Sequence, residues 1–195
     1  IHKMSLGFAE ISWHPNNESI LVHHKNELFK IDLSGQKEVI PYFDYQRLFN
    51  PVFHPNGKKI AITHTNYDTA LIEVGDLQAK NTMLIDSLAQ DYLARYSPSG
   101  NSIAFVSQRS GKSQIYLYQD GQQQVIADNF SNQTIYRAPV WSKNGEKIFF
   151  SLANTLYEYS VADKNSTAYN MPSNFLGILD TYDDEKNVLI ASSQG

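Results

Sequence analysis

Short apolar runs recur along the chain, each fenced by polar, turn-forming residues. One set reads Ile20-Leu21-Val22, Ile60-Ala61-Ile62, Ile103-Ala104-Phe105-Val106 and Ile148-Phe149-Phe150. A polar break follows each: Lys25-Asn26, Asn66-Tyr67-Asp68, Arg109-Ser110-Gly111-Lys112 and Ala153-Asn154. A second apolar run comes next: Leu28-Phe29-Lys30-Ile31, Leu71-Ile72-Glu73-Val74, Ile115-Tyr116-Leu117-Tyr118 and Leu156-Tyr157-Glu158-Tyr159. Runs this short, rich in β-branched and aromatic residues and bounded by Asn, Asp and Gly, predict strands joined by hairpins. Polar turns such as Asp32-Leu33-Ser34-Gly35 and Asp120-Gly121 end the second run. A more polar strand closes each unit: Glu38-Val39-Ile40, Met83-Leu84-Ile85, Gln124-Val125-Ile126 and Ser166-Thr167-Ala168-Tyr169.

One motif precedes each first run. It reads Trp13-His14-Pro15-Asn16-Asn17, Phe53-His54-Pro55-Asn56-Gly57, Tyr96-Ser97-Pro98-Ser99-Gly100 and Trp141-Ser142-Lys143-Asn144-Gly145. The aromatic ends a strand and is expected in the core. Pro presets φ at the first corner of a turn, and Gly or Asn accepts the left-handed corner after it. The aromatics recur about every 40 to 45 residues, the period of a β-propeller blade. Four antiparallel strands per period is the blade plan. A β-sandwich would use similar turns but does not repeat one motif at a fixed period. The expected fold is therefore all-β, with about four and a half blades of four antiparallel strands in one domain over residues 1–195. The blades fall near residues 8–46, 47–89, 90–134 and 135–175, with a partial blade over 176–195. In the last, Ile178-Leu179-Asp180 and Val188-Leu189-Ile190-Ala191 are strands, and the turn Asp183-Asp184-Glu185-Lys186 has lost the motif. Open sheet edges promote aggregation. Closure is expected from residues 1–5, from a partner subunit or from residues beyond this segment. The chain opens on Ile1 rather than Met, as expected of a piece trimmed from a longer protein, so missing targeting segments say nothing about the parent.

The third unit carries a specific likeness. Tyr96-Ser97-Pro98-Ser99-Gly100, then Ile103-Ala104-Phe105, then Ser107-Gln108-Arg109-Ser110-Gly111 and Ile115-Tyr116 resemble the repeat of TolB-like propellers, the WD40-like PD40 repeat. That pattern is an aromatic-Ser-Pro-Asp-Gly turn, an Ile-Ala-Phe strand, a Ser-x-Arg-x-Gly hairpin and an Ile-Tyr strand. The other units are looser: His14 and His54 stand where the family has Ser, and the hairpin Arg occurs only at Arg109. The resemblance implies a non-catalytic binding or sensing module, periplasmic in location. It fits the extracytoplasmic part of a membrane-anchored CadC/ToxR-type winged-helix transcriptional regulator. The alternatives are the gating propeller of a prolyl-oligopeptidase-type serine peptidase and a TolB-like scaffold.

Composition agrees with twisted sheets and narrows function. The 195 residues include 12 Tyr and 10 Phe, too many aromatics for a disordered chain. The net charge is −4 and Lys58-Lys59 is the densest basic pair. Direct nucleic-acid binding, which needs a basic face to neutralise phosphate, is not expected. No apolar run reaches the length of a membrane span. With no cysteine there are no disulfides, zinc thiolates or Cys nucleophiles, and the compartment stays open.

Little of the chain reads as catalytic. No Gly-x-Ser-x-Gly elbow, phosphate-cradling Gly-rich loop or His-Glu-x-x-His helix is present, and no cofactor is expected. His14 and His54 are expected to serve their turns. His24 and His64 align between the first two units, with His23 beside them, and are weak candidates for a metal or for pH sensing. The acidic run Asp183-Asp184-Glu185 reads as a solvated turn. Loops joining one blade to the next contain Tyr42-Phe43-Asp44-Tyr45-Gln46-Arg47, the segment from Asp86 to Tyr92, the segment from Asn129 to Arg137, and Pro172-Ser173-Asn174-Phe175. They are rich in Tyr and Arg, the residue types of binding hot spots. A protein partner or small ligand is expected on this face, with Tyr45, Arg47, Tyr92, Arg109, Tyr136 and Arg137 as its candidates. The competing reading is that these loops pack on one another.

Overall fold

A computed structural model describes residues 9–24, 27–41, 47–65, 69–75, 81–85, 87, 89–127, 135–182 and 187–193, with strand side chains 47, 65, 69, 70, 72–74, 81 and 82 outside the description. Every sheet is antiparallel, with its strands in sequence order. The first holds β1 (Ala9–Trp13), β2 (Ser19–His24), β3 (Glu27–Asp32) and β4 (Lys37–Val39). The second holds β5 (Arg47–Phe53), β6 (Ile60–Thr65), β7 (Thr69–Val74) and β8 (Asn81–Ile85). The third holds β9 (Asp91–Tyr96), β10 (Ser102–Ser107), β11 (Gln114–Gln119) and β12 (Gln122–Ala127). The fourth holds β13 (Val140–Trp141), β14 (Lys147–Leu152), β15 (Thr155–Ser160) and β16 (Asn165–Asn170). β17 (Phe175–Tyr182) and β18 (Asn187–Ser192) form a two-stranded sheet. These are the expected four-stranded propeller blades. The chain divides into two compact units, residues 1–94 and 95–195. Among the described residues no helix is long and apolar enough to cross a membrane.

Burial follows strand position. All six residues of β10 are buried, whereas all six of β16 and all three of β4 are exposed. A strand covered on both faces needs a continuous apolar run, while an outer edge strand can be polar. In the first unit Leu21, Leu28, Ile40, Leu48, Phe53, Ile60 and Ile62 form one core. In the second, Phe149, Leu156, Phe175 and Ile178 do so, with Val140, Met171, Val188 and Ile190 packed on them.

The motif builds the same turn four times. The N–H groups of Asn17, Gly57, Gly100 and Gly145 donate to the carbonyls of His14, His54, Ser97 and Ser142 at 2.9, 2.9, 2.9 and 3.0 Å. All four donor residues have positive φ: 59°, 70°, 79° and 76°. The Ser residues of the motif cap the turn, since Ser97 Oγ accepts from Ser102 N–H (3.1 Å) and Ser142 Oγ from Lys147 N–H (2.8 Å). The histidines accept from a different N–H of the turn. His14 and His54 Nδ1 accept the N–H of Asn16 and Asn56 at 3.2 and 3.1 Å.

Phe53 and Tyr96 are buried, as expected for the motif's aromatics. Trp141 is half-buried, and its Nε1–H donates to the Arg95 carbonyl at 3.0 Å. Trp13 departs from the expectation: it is 58% exposed, beside Ile11 at 61%. The reason is strand alternation. Glu10 and Ser12 point to β5, where they accept the N–H of Asn50 (2.6 Å) and Phe53 (3.5 Å). Ile11 and Trp13 therefore share the opposite face of β1, where each stays more than half exposed. The turn over residues 183–186 and the proposed closing residues 1–5 lie outside the described residues.

Candidate functional site

The second unit contains a cavity of about 360 Å³ lined by Ile135, Tyr136, Arg137, Ser151, Leu152, Ala153, Asn154, Phe175 and Leu176. Three elements meet there. The segment leading into β13 supplies residues 135–137. The tight β14–β15 turn supplies Ala153 and Asn154, with Ala153 at φ 48°. The first turn of chain into β17 supplies Phe175 and Leu176. Met171 N–H donates to the Asn154 carbonyl (2.7 Å), and Phe175 N–H to the Pro172 carbonyl (3.0 Å), which holds the entry to β17 against the hairpin.

Gly177 allows these elements to meet. Its φ is +137°, and a Cβ there would lie 2.9 Å from both Arg137 Cγ and Ser151 Oγ. The register of β17 on β18 shifts between Phe175 and Gly177, a bulge that turns the strand at the cavity wall. Ile135 and Phe175 form a buried apolar base, Leu176 is exposed at the rim, and Tyr136 is 82% exposed. Arg137 is exposed.

The structure thus joins two of the sequence candidates, Tyr136 and Arg137, in one cavity. Arg109 is engaged elsewhere. Its guanidinium carbon lies 4.6 Å from the Tyr116 ring centroid and 5.6 Å from that of Phe105. Its Nε–H donates to Ser107 Oγ (2.9 Å), and Nη1 donates to Gln123 Oε1. The family hairpin Arg therefore ties β10, β11 and β12 together. Tyr92 is half-buried in β9 beside Leu93, whose φ is 57°. Arg47 opens β5, paired with Thr65 in the backbone ladder; its side chain and all of Tyr45 lie outside the described residues.

His24 and His64 are both half-buried, and His24 Nε2 is buried with no hydrogen-bond partner among the described residues. His23 Nδ1 lies 3.4 Å from Glu10 Oε2. Among the described residues no group of three or more His, Asp or Glu side chains gathers around a common point. A second cavity of about 470 Å³ lies where the β11–β12 and β15–β16 turns meet, bordered by Gln119, Gln122, Gln123, Gln124 and Lys164. Ser151, Leu176 and Gly177 were not singled out from the sequence. Gly177, alone between Leu176 and Ile178 in an apolar strand, was the available signal, because a lone strand Gly marks a bulge or a close approach.

The family profile described as PD40, TolB beta propeller domain, matches residues 10–185. The crystal structure of TolB from Acinetobacter baumannii superposes with a TM-score of 0.65 at 22% identity, over 83% of this chain and 43% of that one. A chain of the nidogen/laminin complex superposes at 0.72 with 12% identity, over 93% and 70%. An oligogalacturonate lyase in complex with manganese does so at 0.56 with 16% identity, over 77% and 42%. At these identities the likeness is one of fold. The chain spans less than half the length of the A. baumannii TolB.

Proposed function

Since the chain belongs to the PD40 family of TolB β-propeller domains, we propose that it is a non-catalytic, periplasmic module that binds a protein partner. Its contact surface in the second unit is the group of loops around Tyr136 and Arg137. One observation carries this reading. A large aromatic and a guanidinium stand exposed in the lining of a cavity of mixed polar and apolar character, beside the buried Ile135 and Phe175, and such side chains gain most when a partner desolvates them. The competing loop-packing role would bury these two side chains, as it half-buries Arg109. Two points of support come from outside the site: the sequence has no nucleophile elbow, and one likeness of fold is a chain of a protein complex.

The narrower form of the proposal makes these blades the extracytoplasmic sensor of a membrane-anchored winged-helix regulator. The full sequence of the parent distinguishes it from a scaffold and from a peptidase gate. An upstream winged helix and a single span mark the regulator, and a downstream α/β-hydrolase domain marks the peptidase.

The test is a footprint. A partner captured from the cell envelope and purified should protect residues 135–137, 151–154 and 175–176 from hydrogen exchange. Protection confined to the turns at residues 55–58 and 98–101 would refute the assignment. Measurable peptide or ester turnover, abolished by replacing one Ser or His of the chain, would refute the non-catalytic part.

A further inference from the structure

Resting on that reading, we propose that the cavity beside Arg137 is a carboxylate socket. It takes an extended segment of the partner protein that presents an acidic side chain and, two residues on, an apolar one.

The chemistry of the wall points to this occupant. Arg137 makes no hydrogen bond or ion pair with any described residue. Other cations are committed: Lys30 pairs with Glu38, Lys37 with Glu27 and Lys147 with Glu158, at 2.7, 2.6 and 2.7 Å. Arg109 is spent on Ser107 and Gln123. A guanidinium offers a planar fork that matches both oxygens of a carboxylate. The buried base of Ile135 and Phe175 lies beside it, and a partner segment seated over the cavity would exclude water and strengthen the charge pair.

The backbone fixes the donor. Because Gly177 has no Cβ, the Arg137 Cβ and Cγ lie directly against β17, 3.7 and 2.9 Å from where that Cβ would stand. The stem of the side chain thereby lies against β17, while its charged end has no partner among the described residues. A packed stem lowers the side-chain entropy lost on binding. The volume, about 360 Å³, lies near the lower bound of ligand pockets, room for one or two side chains. In an extended peptide, side chains at i and i+2 lie on one face, about 7 Å apart. An acid at i can meet Arg137 while an apolar residue at i+2 packs on the exposed Leu176 and Tyr136, above the buried Ile135 and Phe175.

The probe is the capped, unlabelled peptide acetyl-Ser-Glu-Ser-Leu-Ser-amide, titrated into ¹⁵N-labelled chain and followed by NMR. Saturable shifts are expected at residues 135–137, 151–154 and 175–177, weakening as salt rises. The Gln counterpart of the peptide should bind at least tenfold more weakly, and so should the Arg137→Gln variant, with Arg137→Lys in between. Resonances elsewhere in Arg137→Gln, unchanged, establish that the variant is folded. No shift at these residues, equal binding of the Glu and Gln peptides, or an Arg137→Gln variant that binds as the wild type would each overturn the socket. So would free acetate saturating the same residues as well as the peptide. If the peptide fails while a purified partner still protects residues 135–137, the socket falls and the protein-binding reading stands. If the partner protects only the turns at 55–58 and 98–101, that reading falls as well.

Discussion

Replacing Gly57 by Ala tests how the repeated turn is coupled to the neighbouring blade. Gly57 sits at φ +70°, and an added Cβ would fall 2.5 Å from His14 Nε2 and 2.7 Å from its Cε1. Two costs follow. A Cβ in the left-handed region costs about 1–2 kcal/mol. The His14 ring must also move. It then gives up the hydrogen bond to the Gly57 carbonyl (3.2 Å), about 0.5–1.5 kcal/mol. It also loses its edge-on contact with Phe53, now at 4.7 Å and 75°, worth about 0.5–1.5 kcal/mol. The expected loss is about 2–5 kcal/mol. Gly35→Ala is the control, since φ there is +88° and no atom lies within 4 Å of the added Cβ, so only the backbone cost of about 1–2 kcal/mol remains. Urea denaturation of both variants, each also in a His14→Ala background, separates the two costs. With His14 truncated, Gly57→Ala should fall to the cost of Gly35→Ala. Equal losses for the two single variants, or a Gly57→Ala cost that His14→Ala does not relieve, would refute the ring-contact argument.

The remaining predictions concern other links. Asp32 accepts the Ser34 hydroxyl (2.7 Å) and the Gln36 N–H (2.8 Å), which hold its carboxyl below the usual range. A depressed folded pKa contributes stability above the unfolded value that is lost as pH falls through the folded one. Urea midpoints followed from about pH 6 down to about pH 3 should therefore drop less steeply for Asp32→Asn, and parallel curves would contradict the assignment. Arg109→Ala should lower stability by about 1–2 kcal/mol, through the lost ring contacts and hydrogen bonds; an unchanged melting curve would show that Arg109 does not tie its sheet together. Trp13→Ser should change stability by less than about 0.5 kcal/mol, because Trp13 is largely exposed. Trp141→Phe, which removes the donor to the Arg95 carbonyl, should cost about 1 kcal/mol. Equal effects of the two Trp changes would contradict the difference in burial.

What the sequence determined by itself was the blade. Strand periods, the aromatic-x-Pro-x-Gly turn and the left-handed corner at Asn17, Gly57, Gly100 and Gly145 depend on interactions within about six residues of chain, so they are written locally. The turn roles of His14 and His54 were legible for the same reason, since a side chain accepting an N–H two residues on needs no neighbour. The face each aromatic meets was not legible. Trp13 and Phe53 share one motif, yet Trp13 is largely exposed while Phe53 is buried, with the His14 ring of the preceding turn packed edge-on against it. The candidate site divides in the same way. Tyr and Arg could be selected from the linking loops by residue type, but residue type cannot tell a spent guanidinium from an unpaired one. Arg109 is taken up by Tyr116 and Gln123, and Arg137, with no partner among the described residues, packs against β17 where Gly177, 40 positions along the chain, lets it approach. Those contacts arise where one strand lies on another, and only the tertiary packing of the sheets decides them.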